Sequence, residues 1–424
     1  MSVDAPAPLP ASAPVAVIGA GAMGSGIAQV AAQAGHRVVL FDTRQGAAEA
    51  AVAGLRSTFA ALVAKGKLSQ DAAQAAGARL SAAQRLADCA GAALVIEAIA
   101  EDIGAKRELV RVLDAIVDDT AIIATNTSSL SITAIAAGSK LPGRVAGMHF
   151  FNPAPILPLV EIVSGLATSP RVAATLHATA IAWHKTPVHA RSPPGFMVNR
   201  CARPFYGEAL RLLAEHAADV ATLDAVMRDA GGFRMGPFEL MDLVGLDVNL
   251  AVTRSVWQAT FNDPRYTPSF LQQEMVDAGL LGRKSGRGFP DYAAGAVRPA
   301  ASTEPGFAAP SRVVVYGELG IAAPLVARMR DGGAAVEVAA RASPVADATG
   351  LIGAGGAWLA LTDGRTATAR AIATGARELV VFDLALDYAS APRIAVARAD
   401  TCSDTAYAAA VGALQSAGVA VSRL

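Results

Sequence analysis

His149 lies in GMHFFNP, flanked by apolar residues, in a chain that spends only six histidines on 424 residues. A histidine in that setting either fills a core with its ring nitrogens satisfied locally or serves as a base near neutral pH, and its company decides which. A second group of residues points to an anionic ligand. In VAVIGAGAMGSG, Gly19, Gly21 and Gly24 form G-x-G-x-x-G between an apolar run and a helical pattern, and Asp42 ends the next apolar run, RVVLFD. The first glycine allows a tight turn, the second lets backbone approach a pyrophosphate, and the third lets helix pack on strand. Ala22 and Met23 open that helix, whose N-terminus faces the anion. An acid about 20 residues beyond the turn accepts hydrogen bonds from a ribose and repels a 2′-phosphate. NAD is therefore favoured over NADP as cofactor, although Arg44, two residues on, is of the type that accommodates the extra phosphate.

Such groups need a sheet to hold them. From Val15 to about Ser192, short β-branched runs (VAVIG, RVVLFD, ALVIEAIAE, AIIATN, VAGMHFF, LVEIV) alternate with alanine-rich helical stretches. Strands spaced by helices predict parallel crossover units, hence a doubly wound α/β Rossmann domain over residues 15–192. Residues 193–292 read as an all-α domain that opens on FMVNRCARPFYGEALRLLAEH, with Asn199 in its first turns. Residues 293–311, rich in Ala, Pro, Gly and Ser, read as a linker. Residues 312–424 return to alternating strands and helices, a second small α/β Rossmann-like unit. Residues 1–14 read as a flexible tail, with neither the basic nor the apolar segment of a signal peptide.

Composition removes several classes of function. The chain is 53% hydrophobic, enough for large cores in about two to four domains. Lys plus Arg (36) balance Asp plus Glu (36), so no overall positive field draws nucleic acid or an anionic membrane. Cys89, Cys201 and Cys402 lie far apart without CxxC or His-rich spacing, which argues against a disulfide framework or a metal site and for a reducing cytoplasm. No uninterrupted apolar run approaches the ~18 residues that span a bilayer.

Downstream of the glycine turn come ATNTSSLSI, GMHFFNPAPILPLVEIV and SPPGFMVNR, then MGPFELMDLVGLD and GRKSGRGF. With these motifs in this order, residues 15–292 resemble the L-3-hydroxyacyl-CoA dehydrogenase family, including its bacterial 3-hydroxybutyryl-CoA members. The resemblance implies NAD-dependent oxidation of a 3-hydroxyacyl-CoA thioester by a homodimer joined through the helical domain, with substrate between the two domains. It implies His149 as general base, Glu161 on the next strand as the carboxylate that orients it, Ser128 as a substrate contact, and Asn199 as the residue completing the site. Glu101, Lys106, Ser128 and Asn152 resemble contacts on the nicotinamide side of the cofactor. Thr58 and Lys65 resemble residues that grip the nucleotide end of coenzyme A, where lysine suits phosphate as a mobile point charge.

The reaction accounts for these residue types. Oxidising a secondary alcohol removes a hydroxyl proton as a hydride leaves the same carbon, so a base active near neutrality must sit on the oxygen. A carboxylate on the other ring nitrogen fixes the tautomer and stabilises the imidazolium. Hydroxyl and amide donors serve the oxygen as it gains carbonyl or alkoxide character.

The last unit offers an internal comparison. Overlaid so that Gly317 falls on Gly19, it puts Gly333 on Gly35, but Leu319 on Gly21, Ala322 on Gly24 and Ala340 on Asp42. A leucine blocks close approach of backbone to phosphate and Glu318 adds negative charge, so this unit is expected not to bind a dinucleotide. The family's GRGFYDY stands here as GRGFPDY, so the last turn of the helical domain is expected to differ at Pro290. Longer members carry such an extra unit before another helical domain; ending at Leu424, this chain is expected to be a shortened long form, with 3-hydroxyadipyl-CoA as the second substrate reading. A lysine-dependent relative of the 3-hydroxyisobutyrate and phosphogluconate type is disfavoured because the helix starting near Phe196 offers no lysine. A catalytically silent dinucleotide sensor is the rival from another class, and the presence of Ser128, His149, Glu161 and Asn199 argues against it.

Overall fold

The computed structural model describes residues 7–339, 345 and 350–424. Its contacts divide the chain into two compact units, Met1–Ala202 with Gln258–Phe261, and Arg203–Trp257 with Asn262–Leu424.

In the first unit, β1 (Val15–Ile18), α1 (Ala22–Gln33), β2 (Val38–Phe41), α2 (Ala47–Ala64), α3 (Gln70–Ala78) and β3 (Leu80–Ala82) are followed by β4 (Leu94–Glu97), α4 (Ile103–Leu113), β5 (Ile122–Thr125) and α5 (Ile132–Ala136). Then come β6 (Val145–Phe150), β7 (Leu159–Ser164), α6 (Pro170–Ala182) and β8 (Thr186–Arg191). The strands lie in the order β3-β2-β1-β4-β5-β6-β7-β8. β1 reads Val-Ala-Val-Ile and is buried at every residue, because helices cover both faces of the sheet and an unbroken apolar run suits that better than alternation. Chain order reverses between β1 and β4, and open sheets of this kind offer a ligand crevice at the carboxyl ends of such strands.

Three expectations are corrected here. The sheet is not parallel throughout, since β6 and β7 pair antiparallel with His149 opposite Glu161. The connection over residues 151–158 is shorter than the dozen or so residues a parallel crossover needs, so the chain turns back beside its own strand. β3 and β8 also extend the sheet beyond the six expected strands; β3 has only three residues and β8 carries His189 and Arg191, so neither shows an apolar run. Nor are residues 7–14 a free tail. The Leu9 amide donates to the Thr179 hydroxyl at 3.0 Å, Leu9 packs on the domain core, and His36 Nδ1 lies 2.9 Å from the Ala13 carbonyl. The first six residues of the expected tail lie outside the described residues.

By length and composition α2 resembles a membrane span. Glu49 and Arg56 interrupt it, and Val52, Leu55 and Phe59 belong to the core beside the sheet, which is the arrangement of a helix packed on a domain.

α7 (Val198–Ala214) carries the chain from the first unit into the second, where α8 (Val220–Asp229), α9 (Pro237–Val244), α10 (Leu246–Ala259) and α11 (Phe270–Asp277) follow. Tyr206, Leu210, Leu223, Phe238, Met241 and Leu246 form their core. At GRGFPDY the buried Asp242 accepts from the Phe289 amide and the Tyr292 hydroxyl, and the Gly288 amide donates to the Pro290 carbonyl, closing this segment onto α9.

Residues 293–311 are extended, yet tied down along their length. The Ser302 amide donates to the Thr222 hydroxyl, the Glu304 amide to the Val421 carbonyl, and the Phe307 amide to the Gln415 side chain. Backbone laid against a domain must find such partners once water is displaced.

The second sheet is built from β9 (Arg312–Tyr316), α12 (Ala323–Asp331), β10 (Ala335–Val338), β11 (Leu351–Ala354), β12 (Ala357–Leu361), α13 (Ala367–Thr374), β13 (Leu379–Phe382), β14 (Arg393–Arg398), α14 (Asp404–Ser416) and β15 (Ala420–Arg423). Its order is β10-β9-β11-β12-β13-β14-β15. Parallel pairs β9/β10, β12/β13 and β14/β15 each enclose a helix, while β11 and β14 run antiparallel to β12 and β13. Gly317 and Gly333 have φ of +69° and +95°, and Gly19 and Gly35 have +105° and +107°, so both turns use the same left-handed positions. Leu319, in the place of Gly21, puts its side chain into this domain's core. Ala340, overlaid on Asp42, lies outside the described residues.

Candidate active site

β1 ends at Ile18 and the chain turns at Gly19, where a Cβ would stand 2.5 Å from the Ala98 carbonyl oxygen. A Cβ on Gly24 would stand 1.7 Å from the Gly19 carbonyl oxygen, so α1 reaches the turn only as glycine. Gly21 differs from both, since its missing side chain would meet open space, and it caps α1 without any side-chain bond. The first amides of α1 are thereby left for an anion. Asp42 Oδ2 accepts from the Ala20 amide at 2.8 Å, tying the end of β2 to the turn. Arg44 forks onto the same carboxylate through its amide (2.9 Å), Nε and Nη2 (both 3.1 Å), and this guanidinium prevails over burial to hold the Asp42 carboxyl at about 2. Beside the turn opens a cavity of about 860 Å³, lined by Gly19, Gly21, Ala22, Met23 and Asp42, with Leu86 and Leu109 supplied by the fold. Open backbone, free amides, an acid at the end of β2 and apolar walls together fit NAD.

Glu97 ends β4, and its carboxylate has no access to water. Lys106 Nζ donates to its Oε1 at 2.5 Å, the Ile99 amide to the same oxygen at 2.7 Å, and the Thr125 hydroxyl to Oε2 at 2.6 Å. Lys106 approaches Glu101 less closely, at 3.4 Å. Glu101 Oε1 accepts from the Thr127 hydroxyl at 2.6 Å and from the Ser128 amide and hydroxyl at 2.9 and 3.2 Å. Burial works to raise the Glu101 carboxyl, but these bonds and the Lys106 charge overcome it and hold it below the usual carboxylate range. Lys106, carried over as a nicotinamide contact, is 1% exposed and stands behind Glu101, with Glu97 as its main partner. Glu97 itself was not anticipated; the available signal was a carboxylate closing the apolar run LVIE, where a charge must find a partner inside.

Because β6 and β7 are antiparallel, His149 and Glu161 occupy opposed positions, and Nδ1 lies 2.7 Å from Oε2. Glu161 Oε1 accepts from the Met197 and Val198 amides at 2.9 and 2.8 Å, so one carboxylate both orients the imidazole and caps α7. Burial works to raise the Glu161 carboxyl, and the His149 bond with the two amides more than offsets it. A carboxylate at Nδ1 assigns the proton to that nitrogen and leaves Nε2 for another group. The rings of Phe151 and Phe196 lie 4.5 and 6.0 Å from the imidazole and restrict its plane. Asn199 Nδ2 donates to the Ser128 carbonyl at 3.3 Å, and Asn126 Oδ1 accepts from the Phe150 amide at 2.8 Å, which draws the loop after β5 toward the end of β6.

The His149 and Glu161 pair is thus bonded to the start of α7, and Asn199 on that helix is bonded to the Ser128 loop, whose bonds continue through Glu101 to Lys106 and Glu97. The other residues picked out by resemblance are not joined to these bonds. Asn152 is exposed just beyond β6. Thr58 and Lys65 are exposed at the far end of α2, where the Thr58 hydroxyl donates to the Gly54 carbonyl.

A dinucleotide-binding sheet that holds an imidazole and carboxylate pair at its strand ends defines a dehydrogenase. Residues 14–192 match the NAD binding domain of 3-hydroxyacyl-CoA dehydrogenase, residues 195–292 the C-terminal domain of that enzyme, and residues 359–424 the 3-hydroxybutyryl-CoA dehydrogenase reduced Rossmann-fold domain. The chain is 41% identical over 278 residues to a 3-hydroxybutyryl-CoA dehydrogenase of Clostridioides difficile, covering 66% of this chain and 99% of that one. It is 48% identical over 280 residues to the 3-hydroxyadipyl-CoA dehydrogenase of Escherichia coli (strain K12), covering 66% of this chain but only 59% of that longer relative. A solved structure of 3-hydroxybutyryl-CoA dehydrogenase from Escherichia coli K12 substr. MG1655 is similar with a TM-score of 0.83 at 38% identity, over 97% of this chain and 80% of that one. The chain belongs to the 3-hydroxyacyl-CoA dehydrogenase family.

Proposed function

We propose that the chain oxidises (S)-3-hydroxyacyl-CoA thioesters of short to medium chain length to 3-oxoacyl-CoA, reversibly and with NAD. The observation that carries this reading is the His149 and Glu161 pair at 2.7 Å, bonded through the first amides of α7 to the helix that bears Asn199. NAD, when bound, accepts the hydride from the substrate's third carbon.

His149 Nε2 takes the hydroxyl proton as that hydride leaves, and Glu161 stabilises the imidazolium that results. The Ser128 hydroxyl and Asn199 amide, now bonded to Glu101 and to the Ser128 carbonyl, turn toward the substrate oxygen and follow its change to a carbonyl. Glu101 and Asn152 face the nicotinamide, with Lys106 supporting Glu101 from behind, while Thr58 and Lys65 grip the nucleotide end of coenzyme A. The second reading of the substrate is 3-hydroxyadipyl-CoA, the substrate named for the Escherichia coli relative.

The enzyme acts as a homodimer in the cytoplasm. Leu243, Val244, Val248 and Phe270 expose apolar surface in the helical part, which a second copy would cover, and all three cysteines are free. The decisive assay is NADH consumption with acetoacetyl-CoA. Turnover lost in His149→Ala while NADH still binds supports the assignment; wild-type protein that binds NADH without any turnover is a dinucleotide sensor instead. Light scattering after size exclusion tests the dimer.

A further inference from the structure

The Asp42 carboxylate has no acceptor position to spare. A carboxylate offers about four lone-pair positions to donors, two on each oxygen. Those of Oδ1 are taken by the Arg44 amide at 2.9 Å and Arg44 Nε at 3.1 Å, and those of Oδ2 by the Ala20 amide at 2.8 Å and Arg44 Nη2 at 3.1 Å. A ribose held here by its hydroxyls must therefore first displace some of these donors.

The four donors are not equally easy to displace. The two amides are backbone that ties the end of β2 to the glycine turn, whereas the guanidinium is a side chain that can swing away. The Arg44 side chain is 70% exposed and that of Asp42 only 9%, so the arginine lies on the solvent side of the acid, and both residues line the cavity beside Gly21. An exposed ion pair contributes little, because water competes for both partners, so its two bonds exchange readily for two hydroxyl donors. Once displaced, the guanidinium stays tethered two residues from Asp42. A 2′-phosphate would bring close to two negative charges and three acceptor oxygens to that end of the ribose, which Asp42 repels and a guanidinium binds with two parallel donors. Arg44 thus acts in opposite senses on the two cofactors.

We propose that Arg44 holds the place on Asp42 that a ribose needs, and so narrows the discrimination between NAD and NADP that Asp42 creates. This rests on the reading of Asp42 as the ribose acceptor. NAD binds by exchange, its ribose hydroxyls replacing Nε and Nη2, while NADP keeps the displaced arginine as a partner. The fork re-forms as the dinucleotide leaves, because its two ends are neighbours in the chain.

The test is fluorescence titration of NADH and NADPH into the full chain, Arg44→Ala, Asp42→Ala and the double variant. Arg44 is a surface residue, so its truncation leaves the fold intact. Arg44→Ala is expected to bind NADH ~2- to 5-fold more tightly than the wild type and NADPH ~10-fold less tightly. In the Asp42→Ala background the same substitution should bring no gain for NADH, since no carboxylate is left to compete for. NADH affinity that fails to rise in Arg44→Ala overturns the proposal, as does NADPH affinity that fails to fall. A gain for NADH that persists in the double variant relative to Asp42→Ala also overturns it, because the arginine would then act on the dinucleotide without Asp42. Unchanged NADH affinity in Asp42→Ala rejects the ribose role beneath the proposal, whereas a loss there without a gain in Arg44→Ala rejects this inference alone.

Discussion

The Lys106 ammonium lies 2.5 Å from the Glu97 carboxylate with both groups out of reach of water, and Lys106 in turn stands 3.4 Å from Glu101, the carboxylate that gathers the Ser128 loop. Glu97→Gln leaves a buried cation without its partner and should lower unfolding stability by roughly 3 kcal/mol. The KM for acyl-CoA should rise with it, because Lys106, released from Glu97, no longer stands in its fixed place behind Glu101, which holds Ser128. A Glu97→Met, Lys106→Met double variant should regain stability in urea titration without regaining KM; recovery of both would show the pair to be structural only.

Glu161→Gln retains the shape of the carboxylate and removes its charge. It should reduce kcat by ~10² to 10⁴ while NADH still binds, because the imidazolium loses its stabilising partner. Stopped-flow turnover combined with NADH fluorescence titration separates the two effects, and an unchanged kcat would rule out Glu161 as the orienting group.

Asp42→Ala removes the proposed ribose acceptor and frees Arg44, so the preference for NAD over NADP should shrink by ~10-fold or more in kcat/KM. Equal selectivity before and after would remove that role. The same carboxyl is held at about 2 in the fold, against 3.8 ordinarily, so its contribution to stability is present above about pH 4 and fades as pH falls toward 2. Acid melts of the wild type and variant should converge over that range.

Asp224 accepts from the Phe238 and Glu239 amides at 2.9 and 3.2 Å at the start of α9. Burial first, and then the neighbouring Glu239 charge, push its carboxyl up to about 7. The folded chain therefore keeps a proton that the unfolded chain has already released above about pH 4, and stability should decline as pH rises from about 4 to about 7. Asp224→Asn should flatten that slope in thermal melts, and an identical slope in the variant would exclude Asp224 as its source.

The glycine turn was legible because its demands are local. Gly19, Gly21 and Gly24 act within a single strand-turn-helix, and a Cβ at Gly24 collides with the carbonyl of Gly19, five residues away. Residues 7–14 were misread because proline and alanine signal a loop without saying whether Leu9 finds an apolar surface, as it does. β8 was missed because a half-exposed edge strand has no need of an apolar run.

By itself the sequence determined which side chains are present to do chemistry: an imidazole, a small set of carboxylates and a phosphate-binding turn in a fixed order. Tertiary structure alone decided how they meet. The short return from β6 to β7 makes them antiparallel and sets His149 against Glu161, and the start of α7 then brings two amides to the same carboxylate. Burial chose the partners of Glu97 and, among the described residues, left Arg203 with no carboxylate partner. Such pairings depend on which distant segments pack together, and on the high energy of a charge removed from water, so they follow from the assembled core rather than from any local run of residues.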